Sequence, residues 1–343
     1  MPLKLPGEFE LIKKLTSELK VKNRDVIVGI GDDCAVLSFD KNYLELVTCD
    51  IQVAGRHFVL ENLEPENIGH KAIAINISDI AAMGGLPTVC LISLILPKNI
   101  STDFVQRIYR GIDIACNKYN IQVAGGNISS GKDWAIDIFM LGKVKKRDLL
   151  LRSGANIGDN VLVTGTLGDA AAGLFIAKDR KFLLVKTKRL LQRQLAPNPR
   201  IGESKLIAAS HMATAMIDVS DGLSGDIGHI CERSRVGVEI YEDKLPVAKD
   251  MLEFAKSIKK NPYDLALNGG EDYELLFTVS KKNTELLISK IKKKTNTNVN
   301  IIGKILPEKE GSWLVNSDGK RIRLKLESWD HILSLPKLVS ESS

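Results

Sequence analysis

Four aspartates of this 343-residue sequence stand out by their settings. Asp33 closes the segment GIGDD (Gly29–Asp33), Asp50 follows Thr48 and Cys49 at a strand end, and Asp218 opens Asp218–Val219–Ser220–Asp221–Gly222. Asp79 lies instead inside a largely apolar run, Ile68 to Met83. Carboxylate oxygens suit a hard ion such as Mg²⁺, which usually shares its shell between a few carboxylates, water and substrate phosphates. The glycine turns beside them, with Gly125–Gly126–Asn127, leave N–H groups free for phosphate oxygens. The chemistry implied is movement of a phosphoryl group from ATP. Taken singly, Asp-Gly and Gly-Asp are common turn signals. Asp79 differs, because a carboxylate is costly in an apolar helix unless it meets a cation or donors.

Other nucleotide chemistries lack their signatures. There is no GxxxxGK[ST] and no kinase HRD or DFG set. Gly165–Thr166–Leu167–Gly168–Asp169 lacks the full dinucleotide fingerprint and reads as a structural turn. The formal charge of +6 arises wholly after residue 150, where Lys256–Lys260 and Lys290–Lys294 lie on helical patterns. No aromatic residues interleave with them, so solvated helix faces are expected and nucleic-acid binding is not. No apolar run reaches the length of a membrane span, and the first residues lack the apolar core of a secretory signal. The five cysteines (34, 49, 90, 116 and 231) form no CxxC pair, which points to reduced thiols and a cytoplasmic setting.

Positioning these residues takes two units, since 343 residues exceed a usual single core. Helices are predicted over Glu8–Leu19, from Pro65 to Met83, and from a Ser101 or Thr102 cap to Tyr119. Strands are predicted over Val26–Ile30, Tyr43–Thr48, Thr88–Leu96, Ile121–Ala124 and Ala135–Val144. After a passage at 147–159, strands near Asn160–Thr164, Thr214–Val219, Val236–Tyr241, Tyr273–Val279 and Val299–Ile305 alternate irregularly with helices. Domains of 1–148 and 149–343 follow, of mixed α/β and α+β class.

The segments GEF, GIGDDCAVL, TCDIQVAGRHF, KAIAINISDIAAMGG, GGNIS, RSGANIGD, VTGTLGDAAAGL, IDVSDGL and GGEDYELLFT, in that order from Gly7 to about His331, closely resemble the thiamine-monophosphate kinases. The resemblance implies the two-domain fold of aminoimidazole ribonucleotide synthetase, with N-terminal sheets pairing across a homodimer. It implies several Mg²⁺ ions held by Asp33, Thr48, Cys49, Asp50, Asp79, Asn127, Asp218 and Asp221. ATP would meet Tyr109, Gly126, Asn127, Arg152 and Ser220; thiamine monophosphate would meet His57, Glu271 and Trp329. The implied reaction is direct, metal-assisted phosphorylation of thiamine monophosphate to thiamine diphosphate, with no side chain acting as base. Cys49 and Asn127 replace the Thr and Asp common in the family, so the ion count does not follow. Another ATP-using synthetase of this fold, or a non-enzymatic Mg²⁺- or nucleotide-binding protein, are the alternatives.

Overall fold

The structure, a computed structural model, describes residues 8–17, 19, 23–58 and 64–326. The first part runs α1 (Glu8–Thr16), β1 (Val26–Val28), β2 (Ala35–Ser38), β3 (Tyr43–Val53), α2 (Pro65–Ala82), β4 (Leu86–Leu96), α3 (Thr102–Tyr119), β5 (Gln122–Ser130) and β6 (Ala135–Lys145). The second runs β7 (Asn160–Thr164), α4 (Asp169–Lys178), α5 (Lys188–Leu195), α6 (Ile201–Ser210), β8 (Ala213–Asp218), α7 (Leu223–Ser234), β9 (Val236–Tyr241), α8 (Lys249–Ser257), α9 (Pro262–Asn268), β10 (Leu275–Val279), α10 (Lys281–Thr295), β11 (Val299–Pro307), β12 (Ser312–Val315) and β13 (Arg321–Arg323).

Six strands form one sheet in the order β1-β2-β3-β6-β4-β5, antiparallel except for the parallel β4–β5 pair. Alternation along β3, β4 and β6 turns Leu44, Leu46, Ile92, Leu94, Ile136, Ile138 and Met140 inward, onto Ile73, Ile77 and Ile80 of α2. The opposite face leaves Ile51, Leu91 and Ile95 exposed, with Phe139 at the margin. Seven strands form the second sheet, β13-β12-β9-β11-β7-β10-β8, where only β12–β9 is parallel. Both of its faces are covered. Val161, Val163 and Ile217 meet Leu223, Ile227 and Ile230 of α7, while Leu162, Met216 and Phe277 meet Leu287 and Ile291 of α10.

Two differences from the sequence reading concern backbone. Gly125 and Gly126 lie within β5 rather than after a strand. The β4–β5 register shifts between Cys90 and Leu91, and Gly125 takes φ +153 there, so the glycine serves an irregularity in an edge strand. The short strands β2, β12 and β13 were not anticipated; three or four residues give too little alternation to register.

Candidate active site

Helix α2 brings the two parts together. It starts at Pro65, whose missing N–H costs nothing in the first turn, and most of its surface is buried. One side packs on the first sheet and α3, the other on β8, α5 and α6. Its polar residues are therefore conspicuous. Lys71, Ile75, Ser78 and Asp79 recur at i, i+4, i+7 and i+8, one stripe of a helix. Lys71 ion-pairs with Glu271, Ile75 lines a cleft, and Ser78 bonds Asp218.

Carboxylate oxygens of Asp33, Asp79 and Asp218 lie within 4.8 Å of one another. Each acid has one fixed donor: Thr48 Oγ1 reaches Asp79 Oδ2 at 2.6 Å, Ser78 Oγ reaches Asp218 Oδ2 at 2.5 Å, and Arg152 Nη2 reaches Asp33 Oδ1 at 2.7 Å. These donors do not offset burial and mutual repulsion. Burial, then the charge of Asp33, pushes Asp218 up to about 8. Burial and Asp50 push Asp79 well above the carboxylate range, and burial raises Asp33 despite Arg152. Asp33 Oδ2 is buried with no hydrogen-bond partner among the described residues. Converging acids that resist ionisation, one with an orphaned oxygen, fit a bound cation. Such oxygen donors suit Mg²⁺ rather than a soft metal.

The adjacent acid plays a different part. Both carboxylate oxygens of Asp32 accept from the Arg152 backbone N–H at 3.3 and 3.4 Å, so Asp32 holds the chain entering the second part while Asp33 faces the cluster. Burial and Asp33 raise Asp32 to about 6. Opposite, Gly269–Glu274 is laced to the end of β8: Glu271 N–H donates to Ser220 O at 2.7 Å and Tyr273 N–H to Val219 O at 2.8 Å. Glu271 and Tyr273 both adopt positive φ, a costly conformation for non-glycine residues that these bonds maintain. Behind them, Glu274 is fully buried and is held by Arg193, Arg200 and Thr164.

A cleft of about 910 Å³ unites Asp33, Thr48, Cys49, Asp50, His57, Asp79, Arg152, Ser220, Asp221 and Glu271. Asp218 lies just behind its wall, within the cluster. The Cys49 thiol does not join the acids, which leaves the backbone carbonyl as the group of Cys49 suited to Mg²⁺. Successive strand residues face opposite ways, so Thr48 turns toward Asp79 while the exposed Cys49 Sγ meets Asp137 at 3.2 Å. Only the Cys49 backbone is left to face the cluster. Tyr109, Gly126 and Asn127 do not line the cleft. Asn127 lies on β5, paired with Ser93 of β4, three strands from β3. Trp329 lies outside the described residues. The GTLGD turn is anchored by Asp272, which accepts from the N–H groups of Gly168 and of Ala170, the residue after the turn, at 2.6 and 3.0 Å.

Sequence reasoning missed Lys71, Ser78, Gln194 and Asp226. The first two carried the signal that marked Asp79, a polar residue in an apolar helix. Asp226 is buried and accepts from Asp221 N–H at 3.3 Å. Gln194 had no local mark.

The family model described as AIR synthase related protein, N-terminal domain, matches residues 31–144, and the corresponding C-terminal domain matches residues 156–316. Fold and site thus define a two-domain AIR synthase-related protein. The thiamine-monophosphate kinase of Buchnera aphidicola subsp. Acyrthosiphon pisum is 40% identical over 326 residues, covering 94% of this chain and 98% of its own. The crystal structure of thiamine monophosphate kinase from Aquifex aeolicus superposes with TM-score 0.77 at 35% identity, covering 94% of this chain and 100% of that one. A structure described as AaThiL complexed with AMPPCP and TMP gives TM-score 0.83 at 37% identity, covering 96% and 99%. The chain belongs to the thiamine-monophosphate kinase family.

Proposed function

We propose that this chain transfers the γ-phosphoryl group of ATP to the phosphate of thiamine monophosphate, giving thiamine diphosphate. The observation that carries the reading is the convergence of Asp33, Asp79 and Asp218 beside Arg152, in a cleft that also reaches Glu271. The family membership and the nucleotide-analogue complex of a 37% identical relative support it.

Asp33, Asp50, Asp79 and Asp218 would hold Mg²⁺, with Thr48, Asp221 and the Cys49 backbone beside them. Bound Mg²⁺ supplies positive charge against the repulsion between two anionic phosphates. Arg152 adds a fixed cation, and with Ser220 it is assigned to ATP. The acceptor phosphate is ionised near neutral pH, so its oxygen attacks without a general base, and positioning supplies much of the remaining acceleration. His57 and Glu271 are assigned to the acceptor, as is Trp329.

A homodimer, a cytoplasmic setting and a division at residues 148 and 149 belong to the same proposal. The division is supported by the two sheets, whose strands come from residues 26–145 and 160–323. The dimer is supported by the apolar outer face bearing Ile51, Leu91, Ile95 and Phe139. Gly126 and Asn127 lie about 14 Å across the sheet from β3 at ordinary strand spacing. Their assignment to ATP and metal therefore depends on a second copy covering that face; Tyr109 is assigned to ATP by the resemblance. Purified protein given ATP, Mg²⁺ and thiamine monophosphate should form thiamine diphosphate. Bound ATP without product overturns the proposal.

A further inference from the structure

Lys71 is a buried cation that the mechanism above does not use. Its side chain is 4% exposed, and Nζ lies 2.6 Å from Glu271 Oε1. The same ammonium donates to the His57 carbonyl oxygen at 3.4 Å. On the other oxygen of Glu271, Oε2, Gln194 Nε2 donates at 2.6 Å. One carboxylate is thus gripped by α2 of the first part and α5 of the second, while its own N–H is tied to Ser220 at 2.7 Å. About a fifth of the Glu271 side chain stays exposed, at 22%, and it lines the cleft. Lysine is almost never buried unless paired, and apolar residues usually stabilise such a position as well or better. Packing alone therefore gives a weak reason for this pair.

Position on the helix gives a stronger one. Lys71 and Asp79 are eight residues apart on the same stripe, about 12 Å along the axis. One helix carries the acid of the transfer end and the cation behind Glu271. The geometry points to Lys71 as a positioning residue for the acceptor substrate, an inference that rests on the kinase reading. It fixes the Glu271 carboxylate and balances its charge. A paired carboxylate keeps lone pairs for a hydrogen-bond donor but offers little net charge to a cation. Glu271 then recognises the amino group of the aminopyrimidine, not the charge of the thiazolium ring.

Steady-state kinetics of Lys71→Met and Lys71→Arg test this. In the Met variant KM for thiamine monophosphate should rise about tenfold or more, with kcat within about threefold and KM for ATP within about twofold. Lys71→Arg, which keeps the charge, should return KM to within about threefold of the unsubstituted value. A thiamine monophosphate analogue lacking the exocyclic amine should be insensitive to Lys71→Met. An unchanged KM in a folded Met variant, or parallel loss in kcat and in both KM values, overturns the assignment. If Lys71→Met does not fold, Gln194→Leu removes the other restraint; KM should rise about threefold, and an unchanged KM overturns the assignment. Lack of turnover by the unsubstituted protein would instead overturn the kinase reading. Calorimetric binding of thiamine monophosphate to the unsubstituted and Met proteins then decides Lys71, equal affinities counting against it.

Discussion

The Ser78 hydroxyl donates a 2.5 Å hydrogen bond to Oδ2 of Asp218, joining the middle of α2 to the last residue of β8. Next to Ser78 in sequence, Asp79 accepts from Thr48 on β3. The acidic cluster is thus held by hydroxyls from two elements and by Arg152, yet its acids still resist ionisation. Charge that the polypeptide does not neutralise is left for a ligand.

Asp79→Asn and Asp218→Asn should therefore separate stability from activity. Without Mg²⁺, removing one of three crowded acids should raise stability by about 1–3 kcal/mol, since an uncompensated buried charge is costly. Turnover should fall about a thousandfold or more, because charge stabilisation of the transferred group is lost. Calorimetry without metal and a product assay with it measure the two effects. Near-normal turnover would remove these residues from the ligand set.

The stripe on α2 depends on how closely α3 crosses behind it. A Cβ on Gly111 would lie 1.9 Å from Glu66 O, and one on Gly69 would lie 2.1 Å from Ile108 O. Each glycine admits the backbone of the other helix. Gly111→Ala should cost about 1–3 kcal/mol by overpacking. Denaturant unfolding at neutral pH measures it, and a midpoint equal to that of the parent would mean the helices separate freely.

His229 on α7, a residue with no assigned role in metal binding, gives a pH dependence of its own. Burial, then the charge of Arg152, pushes its pKa down to about 4. The unfolded chain binds this proton near pH 6.5, so the fold favours the neutral ring. Its contribution is present in full above about pH 6.5 and is lost as pH falls through about 4. Between those limits stability should drop by about 1–2 kcal/mol from this residue, discounted because the ring is only half-buried. His229→Asn should flatten that part of the profile. Parallel unfolding curves for parent and variant across pH 7.5 to 4.5 would discard the assignment.

The outer face of the first sheet is tested by charge. Leu91 and Phe139 are register partners on that face, both partly exposed. Leu91→Asp with Phe139→Asp should give a monomer by sedimentation and lower turnover about tenfold or more, since buried unpaired charges disrupt an apolar interface. A dimer that persists in the double variant would place any pairing elsewhere.

Local pattern made much of the site legible. Asp79 declared itself as a carboxylate in an apolar helix, and GIGDD and DVSDG as acid-bearing glycine turns; their order along the chain carried the family resemblance. The faces of β3 follow from alternation, which separates the Cys49 side chain from those of Thr48 and Asp50. Lys71 and Ser78 carried the same mark as Asp79, yet their meaning lay in partners 200 and 140 residues away.

By itself, then, the sequence determined which residues could ligate a hard cation, which helix was buried and which family the chain resembles, because these depend on residue type, short-range period and motif order. Tertiary structure alone decided that Asp32 holds the backbone of Arg152, that Lys71 and Gln194 grip Glu271 from two domains, and that Asn127 stands across the sheet from β3. Those relationships are set by strand register and by the packing of α2 between two sheets, which are long-range consequences of burial that no local window of sequence contains.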